Sequence, residues 1–418
     1  SPPLPAVNGI SISTSVPAPP QAHIRAVPAE PPLPSSRASA VTDGSGARSL
    51  PAHKLPLLST EANLELRRKH LSSSLKTHYA DSAHGPIKLI SGAGQYLYDA
   101  EGRRFLDCVN NVCHVGHTHP RVVQAATQQL GQLNTNSRYL HDNIVRLAAA
   151  ITAKMPGALA GGRVFFVNSG TEANDLALRL ARNHTGNKHV YCVDGAYHGH
   201  SAATLAISPY SKYSQFEQPE GSVKLSQPDV YRLGLTEAQA TQLSVSEYDA
   251  ALRAADKPPA AFIVEALMCC GGQVMMPRGY LPQMYELTRR HGGITIADEV
   301  QTGFGRVGTD FWAFEEQNVV PDIVTVGKPF GNGFPLAAVV ASAEVAESSK
   351  FIEYFNTFGG NPVACAVGLE VLAVIEDERL QTNALVVGEL ARQKLRALAE
   401  TQPRIGDVRG RGLIFGVE

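Results

Sequence analysis

Residues 294–303 read Ile-Thr-Ile-Ala-Asp-Glu-Val-Gln-Thr-Gly, so the carboxylate of Asp298 directly follows a short apolar run. A second apolar run, Ile323–Val326, is followed in the same way by Gly327 and Lys328. Short runs of this kind are typical of buried strands in a parallel sheet, where ligands bind beyond the carboxyl ends of the strands. Both stretches therefore predict strands that lead into a ligand site.

Further runs of the same kind lie upstream, at Val164–Val167, His189–Val193 and Ala261–Val264. Helical patterns, such as Glu172–Arg182 and Leu281–His291, separate most of the strands. Strands that alternate with helices imply βαβ units. The predicted fold class is α/β with a mostly parallel sheet, preceded by a hairpin over Gln95–Leu106 and a helix after Pro120.

The composition excludes several classes of protein. The chain has 418 residues, a formal net charge of −1 and 44% apolar residues. That charge argues against a protein that coats nucleic acid or an anionic membrane. Apolar runs such as Leu336–Ala341 are far shorter than the roughly 20 residues that span a bilayer. The six cysteines form no Cys-x-x-Cys pair, which argues against a disulfide framework or a cysteine zinc site.

The chain is expected to have three parts after an atypical beginning. Residues 1–60 are rich in Pro, Ser and Ala and poor in acids, which indicates a disordered linker or a transit peptide. The protein is thus expected to be intracellular, in the cytoplasm or in mitochondria. Residues 61–120 and 366–418 are assigned to a small domain, and residues 121–365 to a large cofactor-binding domain. The strand-like run Leu413–Val417 suggests that the C-terminal part is incomplete.

The loop after Val164–Val167 has the composition of an anion site. Ser169, Gly170 and Thr171 precede a helical pattern. Ser and Thr cap helices, Gly permits close approach, and free amides with the helix dipole favour a phosphate. An ordinary helix cap after a tight turn is the alternative.

The residues at the other strand ends also have two interpretations each, one as part of a ligand site and one as ordinary packing or pairing. Tyr197 and His198, between glycines, could stack on a planar ligand or pack the loop. Glu265 and Asp298 directly follow apolar strands, so each needs a cation or strong donors, if only in a buried salt bridge. Lys328 is either a surface lysine or a buried one, and burial favours the neutral, nucleophilic form that makes Schiff bases.

Taken together, these groups match pyridoxal phosphate, a phosphorylated aromatic ring that carries a basic nitrogen and an aldehyde. Lys328 would hold the aldehyde as a Schiff base. Asp298 would keep the ring nitrogen protonated, so that the ring can accept electrons. Residues 169–171 would bind the phosphate, and Tyr197 would cover one face of the ring.

From about residue 65 to 418 the sequence resembles the class III, or ornithine-type, aminotransferases of fold type I. The resemblance is carried by six motifs: Gly116–Pro120, Asn168–Asn174, Ala196–Gly199, Ala297–Gly303, Gly327–Pro329 and Thr357–Pro362. It implies a seven-stranded, mostly parallel sheet flanked by helices, with a smaller α+β domain. It also implies a homodimer with active sites at the interface, where Thr357 reaches the neighbour's cofactor phosphate. Within one chain it implies that Gln301 contacts the ring hydroxyl and that His198 and Glu265 line the cofactor pocket.

One branch of the family is more similar than the others. Residues 108–112, 134–143 and 206–210 are similar to the ethanolamine-phosphate and hydroxylysine-phosphate phospho-lyases. The resemblance therefore favours elimination of phosphate and ammonia from phosphoethanolamine or a related phosphorylated amine. The alternative is amino transfer to a 2-oxo acid, of the alanine–glyoxylate or ω-amino acid type. Asn111, Arg138 and Arg409 are the candidate substrate residues.

Both reactions begin with the same step, in which Lys328 removes a proton from the carbon that bears the amine. The elimination also needs a cation near the leaving phosphate, and Arg138 and Arg409 can each bind either a phosphate or a carboxylate. Two non-catalytic interpretations are weaker. His114, His117 and His119 are spaced like metal ligands but belong to a family motif, and a catalytically dead relative would not need to retain Lys328.

Overall fold

The computed structural model describes residues 56–79, 85–210, 221–351 and 353–418, and the chain divides into two units, Ser1–Ser73 and Ser74–Glu418. In the first unit, helix α1 (Thr60–His70) begins after Ser59, whose hydroxyl accepts a hydrogen bond from the amide of Ala62 at 3.1 Å. The predicted linker or transit segment lies almost entirely outside the described residues.

The second unit contains the sheets and most of the helices. Its described strands are, in chain order, β1 (Leu89–Ala93), β2 (Tyr96–Asp99), β3 (Arg104–Leu106), β4 (Arg163–Val167), β5 (His189–Val193), β6 (Ser222–Leu225), β7 (Pro259–Val264), β8 (Leu267–Met268), β9 (Val274–Met275), β10 (Ile294–Asp298), β11 (Ile323–Val326), β12 (Ala337–Ala341), β13 (Val408–Arg411) and β14 (Ile414–Val417). Its helices are α2 (Pro120–Leu130), α3 (Asp142–Thr152), α4 (Gly170–Thr185), α5 (Ala202–Leu205), α6 (Val230–Leu233), α7 (Glu237–Ala254), α8 (Tyr280–Arg290), α9 (Ala343–Ser348), α10 (Pro362–Asp377) and α11 (Leu380–Ala399). No helix of the described ranges is long and apolar enough to cross a membrane.

The central sheet has seven strands in the order β4-β12-β11-β10-β7-β5-β6. Strands β6, β5, β7, β10 and β11 pair in parallel, whereas β12 runs antiparallel to both β11 and β4. The prediction of a mostly parallel α/β sheet is confirmed, including the five strands named from the sequence. Strands β6 and β12 were not predicted.

Both faces of the sheet are buried. On β7, Phe262 belongs to one apolar cluster, with Tyr248 and Trp312, whereas Ile263 belongs to a second cluster on the other face. Successive side chains of a strand point to opposite faces, so a strand covered on both sides is apolar throughout. This explains why the five strands predicted from the sequence are mostly apolar runs.

Smaller sheets flank this core. The predicted hairpin is confirmed, because β2 and β3 pair antiparallel, with Tyr96 opposite Leu106. Strands β13 and β14 form a second antiparallel hairpin, and α11 packs against it. The proposed domain boundaries at residues 120 and 365 stay a prediction.

The packing of α11 on this hairpin predicts that replacing a glycine of the helix by alanine lowers stability. A Cβ atom at Gly388 would collide with the backbone of Gly412, so alanine cannot fit without moving the helix. Although Gly→Ala normally stabilises a helix, we expect G388A to lower the free energy of unfolding by about 1–3 kcal/mol. In the control, Gly161 has open space around it, and G161A should change stability by less than about 0.5 kcal/mol. Urea denaturation of both variants tests this, and a stabilised G388A would contradict it.

Candidate active site

The strands that run in parallel bring their polar end residues to one edge of the sheet. A cavity of about 360 Å³ opens there. Its lining includes nine of the ten residues predicted to hold the cofactor: Ser169, Gly170, Thr171, Tyr197, His198, Glu265, Asp298, Gln301 and Lys328. The fold thus brings together, from five separate loops, the residues that the sequence singled out.

One end of the cavity is the N-terminus of α4, a helix of 16 residues. Ser169 caps this helix, and its hydroxyl accepts a hydrogen bond from the amide of Glu172 at 3.2 Å. Side chains are excluded here, because a Cβ at Gly170 would lie 2.6 Å from Val300 and one at Gly199 would lie 2.9 Å from the Cα of Thr171. The close packing of these glycines keeps the N-terminus of α4 at the cavity wall, where its positive end favours an anion.

Asp298 is the most strongly fixed polar group of the site. Its Oδ2 accepts hydrogen bonds from Asn174 Nδ2 at 2.7 Å and from His198 Nδ1 at 2.8 Å, and its Oδ1 accepts from the amide of Val300 at 3.0 Å. Asn174 is itself held by Thr325, whose hydroxyl donates to its Oδ1 at 2.7 Å. Burial raises the pKa of Asp298, but the donors, led by His198, outweigh burial and hold this pKa below its usual value. The buried Asp298 is therefore favoured in its anionic form.

Glu265 lies beside Asp298 but in a different environment. Only one of its oxygens is bonded: Oε2 accepts from the amide of Cys269 at 3.2 Å, whereas the buried Oε1 has no partner among the described residues. Burial, followed by the charge of Asp298, raises the pKa of Glu265 to about 7. Nε2 of His198 is also buried and without a partner in the described part of the chain. Glu265 Oε1 and His198 Nε2, the two atoms without a described partner, both belong to residues that line the cavity.

Lys328 follows β11 on the other side of Asp298 and is half-buried at the cavity wall. Within the described ranges, its ammonium forms no hydrogen bond or ion pair. A lysine without a protein partner in a cavity can react with a ligand.

Gln301 is oriented by a residue from a distant loop. Asn111 donates from Nδ2 to the Gln301 Oε1 at 2.7 Å, and the Gln301 amide lies 3.7 Å from the sulfur of Cys270. Asp107 holds the Asn111 loop by accepting from the amides of Val109 and Asn110. Asn111 thus supports the cavity wall rather than lining it.

Besides Asn111, three predicted residues lie outside the cavity. Thr357 and Arg138 are exposed, and the guanidinium of Arg138 stacks over the ring of Phe355 at 4.1 Å. Arg409 lies in a separate cavity, where it donates to the carbonyl of Gly272 and pairs with Asp407.

The three histidines of the metal alternative have different protein partners. His114 contacts the Phe304 carbonyl and Arg306, His117 pairs with Asp107, and His119 pairs with Glu378. In the ranges described, no group of three or more His, Cys, Asp or Glu side chains could hold a metal ion.

Asn174 and Thr325 were not predicted, although they position the central carboxylate. Asn174 lies one turn after Gly170, so both residues face the same side of α4, which is a signal that the sequence contained. Thr325 is paired with Asp298 across neighbouring strands, and nothing in the sequence indicates that pairing.

The donors and acceptors of this cavity fit pyridoxal phosphate. The α4 terminus can accept its phosphate, the anionic Asp298 its protonated ring nitrogen, and the unpaired Lys328 its aldehyde. The Oε1 of Glu265 and the Nε2 of His198, which have no partner among the described residues, are two further polar atoms in the cavity wall that can bond to a ligand.

Comparison with known proteins agrees with this fit. The family model of class III aminotransferases matches residues 79–418. The chain is 45% identical over 377 residues to an alanine–glyoxylate aminotransferase 2-like protein of Drosophila melanogaster, covering 86% of this chain and 74% of the relative. It is 40% identical over 380 residues to the ethanolamine-phosphate phospho-lyase homolog 1 of Caenorhabditis elegans, covering 86% and 80%.

A solved structure gives the same picture. A phospholyase from Arthrobacter, solved in complex with phosphoethanolamine, is 39% identical to this chain, with a TM-score of 0.79. The similarity covers 85% of this chain and 84% of the solved one.

The bonds to Asn174 predict that this residue is important for stability. In N174A, the buried Asp298 and Thr325 each lose a partner, and we expect the free energy of unfolding to fall by about 2–4 kcal/mol. The control N187A removes one bond, to the carbonyl of Pro259, at a less buried position, and should cost about 1 kcal/mol. Urea denaturation measures both, and equal losses would refute the assignment.

Proposed function

We propose that this chain, which belongs to the class III aminotransferase family and is a pyridoxal phosphate-dependent enzyme, is a phospho-lyase. Its substrate is phosphoethanolamine or a related phosphorylated primary amine, and its reaction releases phosphate and ammonia. The similarity to a phospholyase solved with phosphoethanolamine carries this proposal, because it extends over most of both chains.

Different residues of the cavity bind different parts of the cofactor. In this proposal, residues 169–171 hold the phosphate with backbone amides and hydroxyls, and Tyr197 covers the ring. Asp298, kept anionic by its donors, binds the ring nitrogen, and Gln301, fixed by Asn111, contacts the ring hydroxyl. When bound, pyridoxal phosphate withdraws electrons from the carbon that bears the substrate nitrogen.

Lys328 has two roles in the proposal. It anchors the cofactor, and once it is released it takes the proton from the carbon next to the substrate nitrogen. The lysine can reach a ligand because it lines the cavity and has no competing partner in the described part of the chain. A phosphate must then leave from the neighbouring carbon, and that departure requires a cation.

Arg138 is the better candidate for this cation. Arg409 is already engaged by Asp407, Glu418 and the carbonyl of Gly272, which together satisfy its charge and donors. Arg138 forms no ion pair among the described residues and contacts only an aromatic ring with its guanidinium. A free guanidinium can bind phosphate with two hydrogen bonds.

Amino transfer is the second candidate function. The Drosophila relative carries an aminotransferase name, and the same lysine, aspartate and helix terminus would serve that reaction. The two reactions differ in one requirement, because a transaminase needs a 2-oxo acid to complete its cycle.

The exposed positions of Arg138 and Thr357 support a homodimer with shared active sites. Both residues lie outside the cavity of their own chain. Their segments pack together, since the side chain of Asn134 accepts from the amide of Val363 at 3.3 Å. The surface around them is apolar, with Leu140 fully exposed and Phe358 69% exposed. Exposed apolar patches mark interaction sites, so we propose that a second copy covers this one.

The lyase assignment predicts phosphate release from phosphoethanolamine without any 2-oxo acid. The holoenzyme should release phosphate, ammonia and acetaldehyde over many turnovers, which a phosphate assay measures. In the control K328A, both the release and the visible absorbance of lysine-bound cofactor should disappear. A requirement for pyruvate or glyoxylate would transfer the assignment to the transaminase.

The shared active site predicts complementation between subunits. We expect R138A to lower kcat/KM for phosphoethanolamine by about 10- to 100-fold, the loss of a bond to a charged group. The control R146A removes an exposed arginine that pairs with Asp142, and should have no effect.

When R138A and K328A subunits are unfolded and refolded together, each mixed dimer has one site with an intact lysine and the partner's intact arginine. Activity should recover to about a quarter of the wild-type value, as statistical mixing of a two-fold dimer requires. Without recovery, Arg138 acts within its own chain and the shared site is wrong.

A further inference from the structure

Two carboxylates stand side by side at the edge of the sheet, and the proposed function uses only one of them. Val264 of β7 is paired with Ala297 of β10, so Glu265 and Asp298 are the next residues on neighbouring parallel strands. Such strands are about 4.8 Å apart, and residues in register point to the same side. Both side chains are almost fully buried, at 2% and 3% exposure.

The environments of the two groups push them toward different protonation states. Asp298 accepts three hydrogen bonds, so it has little capacity left to receive a proton. Glu265 accepts only one, and its Oε1 is buried in the wall of the cavity without a partner in the described ranges. Pairs of acids with opposite environments commonly divide acid and base roles in a site.

The chemistry of the substrate requires such a base. A primary amine enters as an ammonium ion at neutral pH, and it has no lone pair with which to attack. Lys328 binds the cofactor at that stage, so its nitrogen is not a free base. His198 gives its Nδ1 contact to Asp298, and its Nε2, which has no partner among the described residues, is the alternative base; if His198 took the proton, E265Q would not slow the reaction of a protonated amine.

We propose that Glu265 takes the proton of the incoming ammonium group. One N–H bond of the substrate breaks, the proton moves to Oε1 of Glu265, and the electron pair stays on the nitrogen. The amine is then a nucleophile. The inference rests on the proposed function only in that the substrate is a primary amine, which holds for a lyase and a transaminase alike.

The charged and titratable neighbours of Glu265 come from three directions. Asp298 on β10 raises the pKa of Glu265, whereas His198 after β5 and Lys328 after β11 lower it. On its own segment, the thiols of Cys269 and Cys270 have raised pKa values because of burial, so they stay neutral. The result, a pKa of about 7, suits a group that gains and loses a proton at neutral pH.

The decisive test compares two nucleophiles in the E265Q holoenzyme. Ethylamine is protonated at neutral pH, whereas methoxyamine is not, and each displaces Lys328 from the cofactor with a change in visible absorbance. In stopped-flow measurements, E265Q should slow the reaction of ethylamine by about 100-fold and leave methoxyamine within about 2-fold of wild type. Raising the pH toward the pKa of ethylamine should restore its rate.

A second measurement uses the cofactor-free protein. A carboxyl whose folded pKa is raised from 4.5 to about 7 contributes stability below pH 4.5 that is lost as the pH rises through 7. Relative to wild type, the Tm of E265Q should therefore increase with pH across this window.

Glu299 offers a matched control. Its pKa is also raised to about 7 by burial, but Thr302 and the amides of Ala313 and Phe314 satisfy its oxygens, and it does not line the cavity. E299Q should reproduce the Tm trend and react with ethylamine at the wild-type rate.

Equal slowing of ethylamine and methoxyamine in E265Q would mean that Glu265 only shapes the site, and the inference would be wrong. An absent Tm trend would also overturn it, because Glu265 would not titrate near pH 7. Neither outcome depends on phosphate release, so failure of the lyase assignment is distinguished from failure of this inference.

Discussion

The hydrogen bond between His198 and Asp298, 2.8 Å long and closed off from solvent, is the constraint on which the site depends. A carboxylate at the end of a buried strand is costly unless donors surround it. Those donors come from α4, from the loop after β5 and from the turn after β10, so their mutual positions are fixed by one buried charge. The same geometry places the α4 terminus and Lys328 around a single cavity. The need to solvate Asp298 thus explains why distant segments meet here.

A second constraint follows from the parallel register of β7 and β10. It puts two acids next to each other, and two neighbouring buried carboxylates rarely share one protonation state. The donors around Asp298 resolve this conflict, because they stabilise its charge and leave Glu265 as the group that gains and loses a proton near pH 7. A carboxylate with a lowered pKa is suited to bind a protonated ring nitrogen, and a carboxyl group with a pKa of about 7 is suited to proton transfer. The sheet therefore places two carboxyl groups side by side, one suited to bind the ring nitrogen and the other suited to transfer a proton.

The sequence predicted five of the seven central strands because each of these is a short, mostly apolar run, and a polar residue directly follows four of them. Nine of the residues predicted to hold the cofactor line one cavity, because the parallel topology brings these strand ends together. The run Leu336–Ala341, which contains β12, was noted only as too short to span a bilayer and was not predicted as a strand. Thr325 and the Asn111–Gln301 contact were out of reach for another reason: they join residues whose proximity only the packed fold creates. The sequence thus predicted polar residues that lie next to a strand. It did not predict hydrogen bonds between residues that are far apart in the sequence.

The residues proposed to bind the cofactor and those proposed to bind the substrate lie in different places. Groups that fit the cofactor line the cavity of one chain, where strand register and the α4 terminus fix them rigidly. Arg138 and Thr357 instead lie on an exposed apolar surface, outside the cavity of their own chain. In our proposal a second copy of the chain covers that surface. The guanidinium that binds the phosphate of the substrate therefore belongs to the partner subunit. A change in the 134–143 segment could then alter the choice of substrate without disturbing the buried Asp298 network. Such separation would let one family combine a constant cofactor site with reactions as different as elimination and amino transfer.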